Sequence, residues 1–286
     1  MPPWVSSAAA AAVSFAVAAG ISRAASAFAR RSPRGVSAIP MRWPADFLLL
    51  AFLSASAAFA GVSASGAFAE SLGDDNPLSV FLPTIVLQLS AIAAVLIFRK
   101  LSDADFSIGF GFSLGALRSA GAFFMFSAPA VFAANALVAC AYFAVSGEYP
   151  PKQEIVDIFS SMPEGVGAAA AAVSVVVFAP VAEEMFFRGL LYRIFKGFFS
   201  SFNCGAFVSA ALSGALFSLI HADAFVFLPL ALMGVLLCLS YEKSGSILSP
   251  ILVHALFSFL VGHILTLIVG RRMRKNTLIA FLKKEN

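Results

Sequence analysis

Long apolar stretches separated by short polar segments dominate this sequence. Seven of them, each of roughly 20 residues, carry few or no charges, and a helix of that length crosses a hydrocarbon core of about 30 Å. They are Leu48–Phe68, Leu78–Phe98, Ser119–Ser146, Val166–Ala182, Gly205–Ile220, Ala224–Ser240 and Ile247–Ile268. None alternates polar and apolar residues as the strands of a membrane barrel do. The pattern predicts an all-α, polytopic bundle of about seven or eight transmembrane helices.

The N-terminal stretch Trp4–Ile21 is a weaker candidate span, because it is mostly alanine. Its basic residues follow the apolar run, whereas a cleaved signal peptide carries them in front. Two interpretations stay open: a weak N-terminal anchor, or a start codon placed too early, with translation beginning at Met41. We therefore divide the chain into residues 1–44, the N-terminal transmembrane helices 45–160, a candidate catalytic membrane core 161–270 and a basic tail 271–286.

Composition supports the membrane assignment. Hydrophobic residues make up 60% of the chain and charged residues 12%, against about 25% charged residues in soluble domains. The net charge of +4 comes from Lys and Arg that flank apolar segments, not from a basic stripe interleaved with aromatic residues, so we expect no nucleic-acid partner. Most of these basic residues fall on one side of the predicted bundle, which should be the cytoplasmic side.

Ionisable residues inside the apolar segments are few, and such residues usually mark function because they are costly to bury in a membrane. Glu183, Glu184 and Arg188 lie at the end of the segment Val166–Ala182 or just beyond it, in a helix expected to continue towards Phe199. Two histidines, His221 and His254, occur in later segments. A third histidine, His263, is expected on the opposite face from His254, near the end of its span.

The two glutamates are predicted to differ in their surroundings. On a helix, Glu184 and Arg188 are four residues apart and share a face, whereas Glu183 points about 100° away. Glu184 can thus be paired with Arg188 while Glu183 stays free to act as a general base. The alternative is an interfacial acidic pair that is bound to Arg188 for structural reasons alone.

Helix length predicts that the carboxylate and the histidines meet at one depth. Glu183 lies about 18 residues before the predicted turn at Ser200–Asn203, and His221 about 19 after it, so both are roughly 27 Å from that turn. The next turn, Glu242–Gly245, precedes His254 by about ten residues, or 15 Å. All three side chains share one level if the first hairpin extends further into the cytoplasm.

Three short motifs in these segments resemble those of a known membrane family. Two glutamates with an arginine four residues on (Glu183, Glu184, Arg188), a phenylalanine with a histidine four on (Phe217, His221), and a histidine with a small polar residue four on (His254, Ser258) occur in order on three apolar segments. Together they resemble the CAAX-protease and bacteriocin-processing (CPBP) family of intramembrane metalloproteases, over about Val166 to Ile268. The last motif commonly ends in asparagine, whereas this chain has Ser258, which offers fewer hydrogen-bond donors.

The resemblance implies a membrane-embedded endopeptidase whose catalytic residues are Glu183, Glu184, Arg188, His221, His254 and Ser258. In one version, Glu183, His221 and His254 bind a divalent metal, zinc being expected, with water as the fourth ligand. In the other, Glu183 and His221 hold the water directly, while His254 and Ser258 bind the oxyanion. Arg188 would hold Glu184 in both versions.

The expected partners are a peptide or protein substrate, with lipid-modified substrates among the candidates, and the lipid bilayer. The expected location is a bacterial inner membrane. Two other functions stay open: a non-catalytic membrane partner or bacteriocin-immunity protein that retains the fold, and a transporter subunit. An immunity or scaffold role should survive changes to Glu183, His221 and His254, whereas proteolysis should not.

Overall fold

Seven helices follow one another in the computed structural model, which describes residues 35–73, 76–102, 114–151 and 166–264. These residues contain no strand, and the predicted all-α bundle is confirmed. The helices are α1 (Ala45–Leu72), α2 (Pro77–Leu101), α3 (Leu114–Ser146), α4 (consecutive segments from Val166–Val173 to Tyr192–Phe198), α5 (Gly205–Leu219), α6 (Phe227–Ser244) and α7 (Leu248–Ile264).

Five of these helices, α1 to α4 and α6, are long and apolar enough to cross a membrane. The two others, α5 and α7, are apolar but shorter; α5, with 15 residues, is about 22 Å long. Each of the seven strong candidate spans therefore contains a helix among its described residues. Helix α5 is shorter than a full crossing, and α7 is described as far as Ile264. The weak span Trp4–Ile21 and the tail Arg271–Lys284 lie outside the described residues. The chain is a multi-pass integral membrane protein.

Local signals account for several helix ends. The side chain of Asn76 accepts a hydrogen bond from the backbone N–H of Leu78, 3.0 Å away, and so caps the start of α2. Gly245 ends α6 with a φ of 67°, a left-handed conformation that glycine adopts without steric cost. The predicted turn at Ser200–Asn203 is found between α4 and α5. The turn predicted at Glu242–Gly245 lies slightly later, at residues 245–247, because α6 continues to Ser244.

Helix α6 lies at the centre of the bundle and packs against α5 and α3, whereas α1 packs mainly against α2. In α6, 56% of the helix's most apolar stretch of 18 residues is buried, whereas in α1 the corresponding share is 17%. Helix α7 packs back onto α6 through Ile251 and Val253. The exposed apolar side chains of α1 and α3 suit contact with lipid.

Helix α4 is not a uniform α-helix, because Ser174–Phe178 and Met185–Leu191 are π-helical. The short α-helical segment between them, Ala179–Glu184, carries both glutamates. π-Helical turns are rare and occur often at functional sites. They could not be predicted from the sequence, since a helix wheel assumes a constant 100° per residue.

A segment without regular secondary structure before α1, residues 36–39, contacts the end of α4; we call it the strap. Ile39 in the strap is fully buried, and its N–H donates to the carbonyl of Arg193, 3.0 Å away. Arg193 donates to the carbonyl and hydroxyl oxygens of Ser37, at 2.7 Å each, and Lys196 donates to the carbonyl of Val36, also at 2.7 Å. Arg193 and Lys196, interpreted from the sequence only as topology signals, thus bind the backbone of the strap directly.

Candidate active site

The centre of the site is a buried ion pair on α4. Nη1 of Arg188 donates to Oε1 of Glu184 over 2.8 Å, and neither side chain is exposed. Nη2 of Arg188 donates to the carbonyl oxygen of Gly234 on α6, 3.2 Å away. The predicted pairing of Glu184 with Arg188 is therefore confirmed. Removing one partner would leave a buried charge without compensation, which is strongly destabilising.

The ring of Phe217, on α5, connects the groups of the site. It is fully buried, and the guanidinium carbon of Arg188 lies over it, 4.6 Å from the ring centroid. The imidazoles of His221 and His254 contact the same ring, with centroid distances of 5.1 and 5.6 Å. The motif match included Phe217, but the sequence did not show that this ring would touch both histidines and the arginine.

His254, on α7, is held between the two glutamates. Its Nδ1 lies 2.9 Å from Oε1 of Glu184, and its Nε2 lies 3.9 Å from Oε2 of Glu183. Because an ionised carboxylate only accepts hydrogen bonds, Nδ1 carries the proton and donates it to Glu184. The Nε2 atom is thereby aimed at Glu183, at a separation longer than a hydrogen bond.

Glu183 is the carboxylate without a direct partner. Its Oε2 atom is buried and has no hydrogen bond to any described residue, although 24% of the side chain is exposed. Its neighbour Glu184 is bound by both Arg188 and His254. The structure therefore agrees with the expectation that one glutamate is paired while the other stays free.

His221 follows the end of α5 and lies at the edge of the cluster. Its Nδ1 donates to the carbonyl oxygen of Phe217, 2.8 Å away, so that Nε2 is the ring nitrogen available for other partners. The backbone turns at once after it, because Ala222 has a φ of 52°. Two contacts hold the loop: the Ser218 hydroxyl donates to the carbonyl of Phe227 over 2.7 Å, and the rings of Tyr142 and Phe225 meet edge to face.

Two other polar residues of α7 contribute less. Ser258 is half-buried, one turn after His254, and makes no hydrogen bond to the described part of the chain. His263 is exposed and stacks on Phe259, with 6.1 Å between the ring centroids. It lies on the surface, as expected for a residue outside the site.

The donor atoms suit a metal in kind, since Oε2 of Glu183 and Nε2 of both histidines are types of ligand that zinc accepts. In the structure, however, these atoms are not arranged as a metal site. Among the described residues, no three His, Cys, Asp or Glu side chains are grouped so that they could hold a metal ion. The ligand set Glu183, His221 and His254 stays a prediction.

Comparison with known proteins points to one family. Residues 165–260 match the family described as type II CAAX prenyl endopeptidase Rce1-like. This segment is similar to the CAAX-protease family. The match begins and ends close to the limits set by the three motifs, and it contains every residue of the cluster. No curated protein and no solved structure matches the chain.

The family match bears on activity at a coarse level. The family is one of membrane endopeptidases, and the segment that matches it is the one that brings Glu183, Glu184, Arg188, His221 and His254 together. The match names no catalytic residue of this chain and no metal. The roles of these five residues rest on the geometry and chemistry of the site.

Proposed function

We propose that this protein is an intramembrane endopeptidase of the CAAX type, which hydrolyses a peptide bond with a water molecule activated by Glu183. One observation carries the proposal. Two neighbouring glutamates have different surroundings. Glu184 is bound by Arg188 and His254. The Oε2 atom of Glu183 is buried, makes no hydrogen bond to the described residues and lies 3.9 Å from Nε2 of His254. A water that bridges these two atoms would lie within hydrogen-bond reach of both.

In the proposed reaction, Glu183 takes a proton from this water as the oxygen forms a bond to the scissile carbonyl carbon. The carbonyl oxygen becomes an oxyanion and needs hydrogen-bond donors. The proton on Glu183 then passes to the amide nitrogen, the C–N bond breaks, and an amine and a carboxylic acid leave. A carboxylate placed within reach of the proton that it removes accounts for a rate gain of about 10²–10⁴.

The histidines are proposed to act on either side of this water. His221, whose Nδ1 is bound to the carbonyl of Phe217, would present Nε2 to the water with Glu183. His254 would donate from Nε2 to the oxyanion in the form that carries a proton on both ring nitrogens, with Nδ1 bound to Glu184. Ser258, one turn further along α7, would add a hydroxyl donor. It is the weakest of the donors, since a hydroxyl is shorter than the amide usual in the family.

Three finer points belong to the same proposal. Zinc held by Glu183, His221 and His254, should it bind, would lower the pKa of its water and polarise the carbonyl. The substrate would be a peptide or protein that reaches the bilayer, and a lipid-modified peptide belongs among the substrates tested. The location would be a bacterial inner membrane.

The test combines cleavage with metal analysis on the purified full chain. Wild type, Glu183→Ala and His254→Ala are compared for cleavage of membrane-bound peptide substrates and for bound zinc. We expect cleavage by wild type and its loss in both variants. Zinc that is bound by wild type and lost in both variants selects the metal version, whereas cleavage without metal selects direct activation by Glu183. Full cleavage by Glu183→Ala would contradict the proposal.

A further inference from the structure

Two glycines, Gly214 on α5 and Gly234 on α6, face each other where these helices cross. A Cβ atom added to Gly234 would lie 2.4 Å from the Cα of Gly214, and one added to Gly214 would lie 2.6 Å from the carbonyl oxygen of Ala231. Contacts this short with backbone cannot be relieved by turning a side chain. The helices approach so closely only because both positions lack a side chain.

This crossing also sets the position of the buried arginine. The carbonyl of Gly234 accepts the hydrogen bond from Nη2 of Arg188, and a Cβ on Gly234 would lie 3.3 Å from that nitrogen. The guanidinium is confined on another side by the ring of Phe217, 4.6 Å from its centroid. A movement of α6 away from α5 would therefore displace Arg188.

A chain of hydrogen bonds links the helix crossing to the reacting groups. From the Gly234 carbonyl the chain runs through Arg188 to Oε1 of Glu184, and on to Nδ1 of His254, with lengths of 3.2, 2.8 and 2.9 Å. The last bond determines which ring nitrogen of His254 bears the proton and where Nε2 points. That direction sets the 3.9 Å separation of His254 from Glu183.

A second contact fixes the same part of α4 against α5. The hydroxyl of Ser213 is fully buried and donates to the carbonyl oxygen of Phe187, 3.1 Å away, inside the π-helical segment Met185–Leu191. Ser213 is adjacent to Gly214 in sequence, so one turn of α5 contacts both the arginine-bearing segment of α4 and the close crossing with α6. Helices α4, α5 and α6 are thus held together at the level of Arg188.

We infer that Gly214 and Gly234 are positioning residues of the site, which act through Arg188 and Glu184 to set the tautomer and direction of His254. They touch neither substrate nor water. This inference rests on the proposed function for its effect on rate, but its structural part concerns His254 alone. A larger residue at position 234 should leave a folded protein whose His254 is no longer fixed.

The test uses Gly234→Ala, with Gly121→Ala on α3 as the matched control, because a Cβ at Gly121 meets nothing within 4 Å. NMR of isotope-labelled histidine reports the tautomers directly, since the chain has only three histidines, and His254→Asn assigns the signal. We expect wild type and Gly121→Ala to show His254 protonated at Nδ1. Gly234→Ala should show a mixture of tautomers, together with a fall in kcat of at least tenfold and a KM within twofold of wild type.

The outcomes separate the two proposals. An unchanged His254 signal in a folded Gly234→Ala protein would overturn the positioning role, whatever the activity. A changed signal in a chain whose wild type cleaves no substrate would support positioning and contradict the proteolytic function. Loss of fold in Gly234→Ala is checked with Gly214→Ala, whose added Cβ would lie 2.6 Å from the carbonyl oxygen of Ala231, and with Ser213→Ala, which removes the hydrogen bond to Phe187 without adding bulk. The inference fails if both of these folded variants keep the wild-type signal and kcat.

Discussion

Two polar clusters on α4 can be compared, one at the candidate active site and one near the helix end. The cluster near the helix end, which we call the basal cluster, consists of Tyr192, Lys196 and Glu242. In it, Oε1 of Glu242 accepts hydrogen bonds from the tyrosine hydroxyl at 2.8 Å and from the lysine. The lysine also binds the strap. In the first cluster, by contrast, buried atoms of Glu183, Glu184 and Arg188 have no hydrogen-bond partner among the described residues.

The difference indicates different uses of buried charge. Unsatisfied buried polar atoms are rare in folded proteins, and each one calls for an explanation. Of the four such side-chain atoms in the described part of the chain, three belong to the site. The basal cluster joins α4, α6 and the strap, with its hydrogen bonds made. The site keeps capacity for a water and a substrate at Glu183, so Glu183 should govern rate. The basal cluster, like the Glu184–Arg188 pair, should govern stability.

The largest loss of stability is expected from Arg188→Leu. It leaves the fully buried Glu184 without its cation, and breaking a buried pair costs about 3–5 kcal/mol. Thermal unfolding in detergent should show a large fall in the midpoint, together with loss of cleavage. The matched control is Lys100→Leu, which removes an exposed basic residue at the end of α2. Equal midpoints for the two variants would show that the Glu184–Arg188 pair does not stabilise the fold.

A smaller loss is expected from Glu242→Gln in the basal cluster. The amide keeps the shape but loses the charge that Tyr192 and Lys196 both bind, and a hydrogen bond to a charged group contributes about 1.5–3 kcal/mol. The unfolding midpoint should fall while kcat of the folded protein stays within twofold. Glu148→Gln, at an exposed glutamate after α3, should change neither quantity. A large fall in kcat of Glu242→Gln without a change in its unfolding midpoint would show that the basal cluster acts in catalysis and not in stability.

The smallest effect, and a gain, is expected from Ser258→Asn. An amide reaches further than a hydroxyl and offers two donors, and one added hydrogen bond of about 1 kcal/mol corresponds to roughly fivefold in kcat. The measurement is kcat for the variant beside Ser56→Asn, which makes the same change on the exposed surface of α1. An unchanged or lower kcat in folded Ser258→Asn would exclude residue 258 from oxyanion binding.

Local features of this protein were predictable from sequence. Each of the seven strong spans contains a helix in the described part of the chain, since about 20 apolar residues suffice to indicate one. The pairing of Glu184 with Arg188 follows from a spacing of four residues on a single helix. The turn at Ser200–Asn203, which precedes the helix leading to His221, was predicted correctly. The turn before His254 was predicted at Glu242–Gly245 but falls at residues 245–247, because α6 continues to Ser244.

Contacts between helices were not predictable. That Nδ1 of His254 binds Glu184, rather than facing Glu183, depends on how α7 is rotated against α4. The role of Phe217 depends on three helices at once, and the close crossing at Gly214 and Gly234 leaves no periodic signal in one sequence. Arg193 and Lys196 looked like topology signals because their backbone partners in the strap lie more than 150 positions away in the chain.

Substitution of Glu183 tests the central claim most directly, because Glu183→Gln removes the proposed base with almost no change in shape. Cleavage rate and unfolding midpoint are measured together on Glu183→Gln, Glu242→Gln and wild type. The proposed mechanism predicts that Glu183→Gln loses about 10²–10⁴-fold in kcat and keeps the wild-type midpoint, while Glu242→Gln shows the opposite pattern. Near wild-type cleavage by folded Glu183→Gln would contradict it.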